Sequence, residues 1–357
     1  MSMTSVILLL LAQAVEPERV VMTGTIASVG GKPAAGAQVV LAEGSPPLNE
    51  LTRRTGAVLR PPAVLRRQQA DANGRFVVGL PSDNVTVQRF RRPVFLWAFG
   101  PGGSLALRPI PEDWPPDGEP VRLMLAPSEL VRFRVLDPEE RPIAGVRLVP
   151  ARLRGVDVPV ELGARFEVET DTEGRGTLAT GAADELEVIR VISGPFGVQQ
   201  IRVTRPDAGG VRTLRLAPVG RVVGQILADD LQAVRGLTVR VRTDPDPSAD
   251  VAGVGGWASI VTDDHGRFTV QEIAAGVLAV SVDLRWDLPW RSPLLSRLQV
   301  QPATTTEVTI PLKPAAQIKG VVQEISSGRP VAGVGVAVVM DAETPLAPSD
   351  AEGRFSA

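Results

Sequence analysis

Few residues in this chain have side chains suited to chemistry. His265 is the only histidine, and there is no cysteine or tyrosine. Zinc chemistry needs several imidazole or thiolate ligands, so H-x-x-E and H-E-x-x-H sites are excluded, as are thiol nucleophiles, disulfides and iron–sulfur clusters. His265 itself lies inside Asp263-Asp264-His265-Gly266 and reads as an exposed turn residue. Four D-x-x-G stretches begin at Asp71, Asp171, Asp263 and Asp350. A calcium ion wants about six to eight oxygens, including a downstream bidentate acid. No such acid recurs at fixed spacing after the glycines, so turn chemistry is the expectation.

The glycine-rich runs Gly100-Pro101-Gly102-Gly103 and Gly253-Val254-Gly255-Gly256 lack the Gly-Lys-Ser/Thr ending and following helix of a phosphate loop, and read as plain loops. Lys32, Lys313 and Lys319 are the only lysines, too few for a Lys–Asn self-cross-link in every repeat. Trp257, Trp286 and Trp290 could stack on sugar rings, although indoles at cores and joins are commoner. The stretch from Glu43 to Ala70 carries Arg53, Arg54, Arg60, Arg66 and Arg67 among prolines. It reads as a solvated loop, the alternative being a dock for an acidic partner. Catalysis is not expected, nor is a cofactor or metal.

The elements that hold these residues follow from composition and repetition. In 357 residues, 44% are hydrophobic and 22% charged, which is globular, while 35 Gly and 32 Pro break the chain too often for long helices. An all-β chain follows. A net charge of -2 does not favour nucleic acid or an anionic membrane. Near the N-terminus, the apolar run Val6–Leu11 precedes Ala12-Gln13-Ala14, the small-x-small form of a signal-peptidase site. Cleavage after Ala14 is expected, and with it a secreted, periplasmic or cell-surface protein. The run is far shorter than the roughly 18 residues of a membrane span.

One pattern returns at domain-sized spacing, four times in the same order. A strand leads into a turn ending in Gly36, Gly145, Gly236 or Gly333, and an apolar strand follows. Then comes Asp71-Ala72-Asn73-Gly74-Arg75-Phe76, Asp171-Thr172-Glu173-Gly174-Arg175, Asp263-Asp264-His265-Gly266-Arg267-Phe268 or Asp350-Ala351-Glu352-Gly353-Arg354-Phe355. Asp can bond its own downstream N–H groups and Gly can take positive φ, so Gly74, Gly174, Gly266 and Gly353 are read as hairpin turns that begin a return strand. The first three copies close on strands such as Val121-Arg122-Leu123-Met124-Leu125, whose period of two puts apolar residues on one face, and end at Pro127, Pro218 and Pro314.

This order resembles the carboxypeptidase regulatory-like domain. Ile273–Val280, a small-residue stretch containing Gly276, strengthens the likeness; the second copy departs from it, with Gly176 where Phe is expected. The resemblance implies tandem immunoglobulin-like, prealbumin-like, seven-stranded Greek-key β-sandwiches. The expected units are 18–127, 128–218 and 219–314, with an incomplete fourth over 315–357 whose missing half implies a longer protein. Such modules resemble spacers and interaction domains, so the implied partner is an unidentified protein or glycan.

Overall fold

The computed structural model describes residues 21–44, 61–79, 93–110, 119–181, 183–204, 206, 210–229, 231–244, 254–284, 290–292, 295–314, 319–336 and 347–356. The leader expected at residues 1–14, together with Trp286, Arg53, Arg54 and Arg60, lies outside the described residues.

The first sandwich is built from β1 (Val21–Ala27), β2 (Gln38–Glu43), β3 (Val64–Gln69), β4 (Arg75–Gly79), β5 (Val94–Phe99), β6 (Leu105–Ile110) and β7 (Val121–Met124). They form a three-stranded sheet, β4-β1-β7, and a four-stranded sheet, β3-β2-β5-β6. Met22, Ile26, Val39, Leu41, Phe76 and Leu96 meet between them. The second sandwich runs through β8 (Glu129–Leu136), β9 (Arg147–Leu153), β10 (Val156–Asp157), β11 (Val168–Glu169), β12 (Arg175–Thr180), β13 (Leu186–Ser193), β14 (Gly197–Arg202) and β15 (Val211–Arg215). Between β10 and β11 a single helical turn, Val160–Gly163, continues into a 3-10 turn, Ala164–Phe166.

The third comprises β16 (Val219–Leu227), β17 (Thr238–Asp244), β18 (Val254–Val261), β19 (Arg267–Ala274), β20 (Gly276–Asp283), β21 (Trp290–Arg291), β22 (Leu295–Val300), β23 (Thr305–Pro311) and β24 (Lys313–Pro314). After it come β25 (Lys319–Val321), β26 (Gly335–Val336), β27 (Ala347–Pro348) and β28 (Arg354–Ser356), paired β25 with β28 and β26 with β27.

The three sandwiches share one wiring. The opening strand lies at the centre of a three-stranded sheet, antiparallel to the strand after the D-x-x-G turn and parallel to the closing strand. These sheets alternate buried and exposed residues, as in β8 and β12, because one face meets the core and the other meets water.

The Gly-Arg turns do not join paired strands, which corrects the hairpin reading. The reversal itself is present: Asp71 Oδ1 accepts the N–H groups of Asn73 and Arg75 at 2.8 Å, and the Gly74 N–H reaches the Asp71 carbonyl at 3.0 Å. Its flanking strands then part, since β3 pairs with β2 while β4 pairs with β1. The turn is therefore a corner between sheets. The same bonds form at Asp171, Asp263 and Asp350.

In three repeats both signature turns dock on a single residue at the end of the opening strand. Ile26 donates its N–H to the Gly74 carbonyl at 2.7 Å and accepts the Ala34 N–H at 2.9 Å. Val135 does this with Gly174 and Ile143, and Val322 with Gly353 and Val331. In the third repeat Ile226 donates to Gly266 at 2.8 Å. A Cβ on Gly74 would lie 2.4 Å from the Ile26 carbonyl oxygen, and φ there is +71°, so the position admits no other residue without displacement. The other turn glycines, Gly36, Gly145, Gly236 and Gly333, also have φ between 67° and 73°.

A buried hydroxyl just before the Asp locks three of these corners. Thr170 accepts the Val146 N–H at 3.0 Å and donates to the Ile143 carbonyl at 2.8 Å. Thr262 and Ser349 make the equivalent pairs with Leu237 and Val234, and with Val334 and Val331. In the first repeat Ala70 takes this place and only its backbone bonds across, to Gly36 and Ala37.

The missing Phe of the second repeat has moved to the other strand. Gly24 lies opposite Phe76, Gly224 opposite Phe268 and Gly320 opposite Phe355. A Cβ on Gly224 would sit 2.0 Å from the Phe268 ring, so the aromatic fills the space the glycine leaves. In the second repeat the positions are exchanged, Gly176 lying opposite Phe133, but Leu148, Thr170 and Val168, rather than the Phe133 ring, lie nearest the space a Cβ on Gly176 would take.

Because Phe133 and Gly176 are direct cross-strand partners, substitutions at the two positions should be coupled. Phe133→Gly alone should cost at least about 3 kcal/mol by emptying a packed site, and Gly176→Phe alone should be comparably harmful by overfilling it. The double variant, which restores the arrangement of the other repeats, should recover about 2 kcal/mol relative to the sum in urea unfolding.

Candidate functional site

The first and second sandwiches do not merely follow one another; they share a core. Strands β2 and β5 read Gln38-Val39-Val40-Leu41-Ala42-Glu43 and Val94-Phe95-Leu96-Trp97-Ala98-Phe99, continuous rather than alternating, and are buried on both faces. Val39, Leu41 and Leu96 face their own sandwich. Val40, Ala42, Trp97 and Phe99 belong instead to the cluster that holds Phe133, Leu148, Leu162 and Phe166 of the second. Trp97 stacks on Phe99 at 6.2 Å between centroids, and Phe99 meets Phe166 at 5.8 Å with the rings tilted. Arg67 of β3 reaches Glu161 of the helical turn at 2.9 Å, an exposed pair of about 0–1 kcal/mol.

Beside this contact lies a groove of about 780 Å³. Gln69, Gln38 and Phe99 are cross-strand partners in successive strands and run along its floor. Arg165 forms the opposite wall, its guanidinium 5.1 Å from the Phe99 ring centroid, where burial of the ring strengthens a cation–π contact. The Gln69 amide donates to the Gly36 carbonyl at 3.2 Å. Gln38 Oε1 is sealed from solvent and has no hydrogen-bond partner among the described residues. A smaller recess of about 380 Å³ continues past Phe99 and Arg165 toward Thr177.

The second and third sandwiches join differently, through backbone. Strand β14 pairs antiparallel with β18, placing Gln199 opposite Gly256 and Gln200 opposite Gly255. Nine strands thereby form one sheet across both units. The run read as a plain loop is a strand from Val254 onward, and its glycines answer a spatial need. A Cβ on Gly255 would approach the Thr243 carbonyl oxygen to 2.6 Å, and one on Gly256 would approach Ala274 N to 2.7 Å. Gln199, fully buried, clamps the linker: it accepts the Ala217 N–H and donates to the Ala217 carbonyl, both at 2.9 Å. Ala275 N–H then bonds the Pro218 carbonyl at 2.8 Å.

The residues singled out for chemistry are scattered. Trp257 lies on β18, half-buried, opposite Arg242 of β17. Trp290 is in β21, pairs with Pro314 and packs on the third core, so these two indoles occupy different sheets. His265 is exposed at its turn, and the backbone N–H groups of Arg267 and His265 hold Asp263 below the ordinary carboxylate range. On β13, burial lowers the Arg190 guanidinium, opposed by the charge of Asp157. Among the described residues no cluster of three His, Cys, Asp or Glu could hold a metal ion, and no helix is long and apolar enough to cross a membrane. Arg66 and Arg67 belong to strand β3, not to a loop. Sequence reasoning missed the groove residues Gln38, Phe99 and Arg165; the signal available was the unbroken apolar run of β5, which announces a strand covered on both sides.

No family model matches the chain, and no curated protein matches it. Among solved structures it is similar to the minor pilin of Streptococcus agalactiae, at 11% identity over 52% of this chain and 97% of that one, with a TM-score of 0.26. It is also similar to a shaft pilin of Lactobacillus rhamnosus, at 10% over 83% and 98%, TM-score 0.20. A third is the major pilin subunit of Bacillus cereus, at 13% over 84% and 100%, TM-score 0.19. At such scores these likenesses bear on neither family nor activity; the strand pairing above establishes the fold.

The linker clamp gives a direct test of the second junction. Gln199→Leu leaves the Ala217 N–H and carbonyl and the Phe196 carbonyl without their side-chain partner. Chemical denaturation should register a loss of about 2–3 kcal/mol, more than a buried Gln-to-Leu change with no broken bonds would give.

Proposed function

We propose that this chain is a non-catalytic, exported array of β-sandwich domains, 18–127, 128–218 and 219–314, that serves as a stiff spacer. The observation that carries this reading is the way its units are joined. Independent domains on a string need only linkers, and a linker of a few residues permits relative motion by default. Here one junction is a shared aromatic core and the other a continuous backbone ladder. Bending either would expose apolar surface or break hydrogen bonds, so stiffness is what the construction yields. Pro127, Pro218 and Pro314 at the closing strands fit the same purpose.

The carboxypeptidase regulatory-like order of turns supports the domain boundaries, and the leader at residues 1–14 supports a secreted, periplasmic or cell-surface location. The scarcity of nucleophiles and metal ligands supports a role without catalysis. Glycan binding has weaker support: of the three tryptophans named for it, Trp257 and Trp290 stand on separate sheets.

Spin-label distances would test stiffness cleanly, because the chain has no cysteine to remove. With labels at Thr177→Cys and His265→Cys, the distance distribution between the second and third sandwiches should be single and narrow. Adding Gly256→Val, which crowds Ile273, Ala274 and Thr243 and so displaces the strand that pairs with β14, should broaden it. A broad distribution in the chain with Gly256 intact would refute the spacer reading.

A further inference from the structure

We propose that this array bears tension along its length, and that three parallel strand pairs in series are the elements that resist it. In each sandwich the first and last strands run the same way and lie side by side: β1 with β7, β8 with β15 and β16 with β23. The chain therefore enters each pair at one end and leaves it at the other. Tension on the flanking chain pulls the two strands along their own axes in opposite senses. Because the bonds of a parallel ladder are evenly spaced along the strands, all of them are loaded together. Strands pulled apart from one end would instead open bond by bond.

The load takes a short route. Strand β7 ends at Met124 and β8 begins at Glu129, while β15 ends at Arg215 and β16 begins at Val219. Force leaving one closing strand enters the next opening strand within a few residues, so the strands of the larger sheets lie outside the route. Each opening strand is also held on its other side by the strand that follows the D-x-x-G corner. The closing strand is an outer strand of its sheet, and the ladder between the two is where yielding begins.

Two features keep a loaded ladder from creeping. Each contains an apolar couple sealed in the core, Ile26 opposite Leu123, Val135 opposite Leu214 and Ile226 opposite Ile310, none more than 3% exposed. A slip of one residue would turn such side chains toward water, so the neighbouring register offers no resting place. The far end of each ladder is fixed as well. Leu125, Leu216 and Leu312, all buried, donate their N–H groups to the carbonyls of Ala27, Leu136 and Leu227 at between 2.7 and 2.9 Å. The ladders differ in length: four residues of β7 face β1, five of β15 face β8 and seven of β23 face β16, which ranks resistance upward from the first sandwich to the third. Tension needs units joined in series, and for that premise the proposal rests on the spacer reading; stiffness belongs to the junctions, whereas resistance belongs to the ladders within the units.

The test stretches the full chain in optical tweezers, with handles on introduced cysteine pairs, since none is native. Arg221→Cys with Lys313→Cys loads the third ladder from opposite ends. Arg221→Cys with Thr305→Cys, residues that face each other at one end, peels it open. All three positions are exposed. At equal pulling rate the first pair should rupture in one step at a force at least about twofold above the second. Handles at the two chain ends should give three separate ruptures. The weakest should release roughly 35 nm and the other two roughly 30 nm each, because the first sandwich, Val21–Met124, is the longest stretch. The proposal fails if the two cysteine pairs rupture at the same force, if the chain extends gradually from its ends, or if the weakest rupture releases a shorter stretch than the others. Equal forces would leave a narrow spin-label distribution intact, and a broad distribution would leave the force ratio intact, so the two readings fail separately.

Discussion

Everything in this fold depends on one backbone position in each repeat, where the end of the opening strand bonds the D-x-x-G corner and, in three of the four, a second turn as well. Ile26, Val135 and Val322 each spend an N–H on the glycine of the D-x-x-G corner and a carbonyl on the turn that precedes the second strand. Buried peptide groups must be paired, and at a strand end the ladder no longer supplies partners. By supplying them from two sides, the turns pin both sheets to a common point and fix how the layers face each other. The third repeat keeps only the first of these bonds, and there a Cβ on Gly266 would also meet the Val234 side chain. The glycine is not negotiable in any of them, because its neighbour is a carbonyl oxygen rather than a movable side chain.

From that anchor the packing follows a simple exchange of volume. A glycine on the opening strand makes room for a phenylalanine on its neighbour in the first, third and fourth repeats, whereas in the second Leu148, Thr170 and Val168 lie nearest Gly176. The hydroxyls of Thr170, Thr262 and Ser349 act similarly: a small polar group spans two backbone segments that would otherwise leave an N–H and a carbonyl unmet.

The joins between sandwiches use the same two resources, apolar volume and backbone pairing, one at each junction. The aromatic cluster of Trp97, Phe99 and Phe166 unites the first pair, and strands β14 and β18 unite the second. Beside the first junction lies the groove lined by Gln38, Gln69, Phe99 and Arg165.

How much of this was legible depends on the range of the interaction. The all-β class, the strand alternation and the positive-φ turns follow from local rules, since a proline or glycine restricts φ and ψ wherever it stands, and an alternating strand has one wet face in any fold. The reversal at Asp71 was readable for that reason, but its corner character was not: whether β4 pairs with β3 or with β1 is decided by which surface buries more, far along the chain. Gly176 looked like a defect because the phenylalanine of that strand pair, Phe133, stands across the sheet. Gly255 and Gly256 looked like a loop because the need for a missing Cβ comes from Thr243 and Ala274. The sequence by itself determined what each segment could become, through steric and hydrogen-bonding limits that act within a few residues. Only the tertiary structure decided which segments met, because that choice rests on burial and backbone pairing summed over surfaces that no single stretch of chain contains.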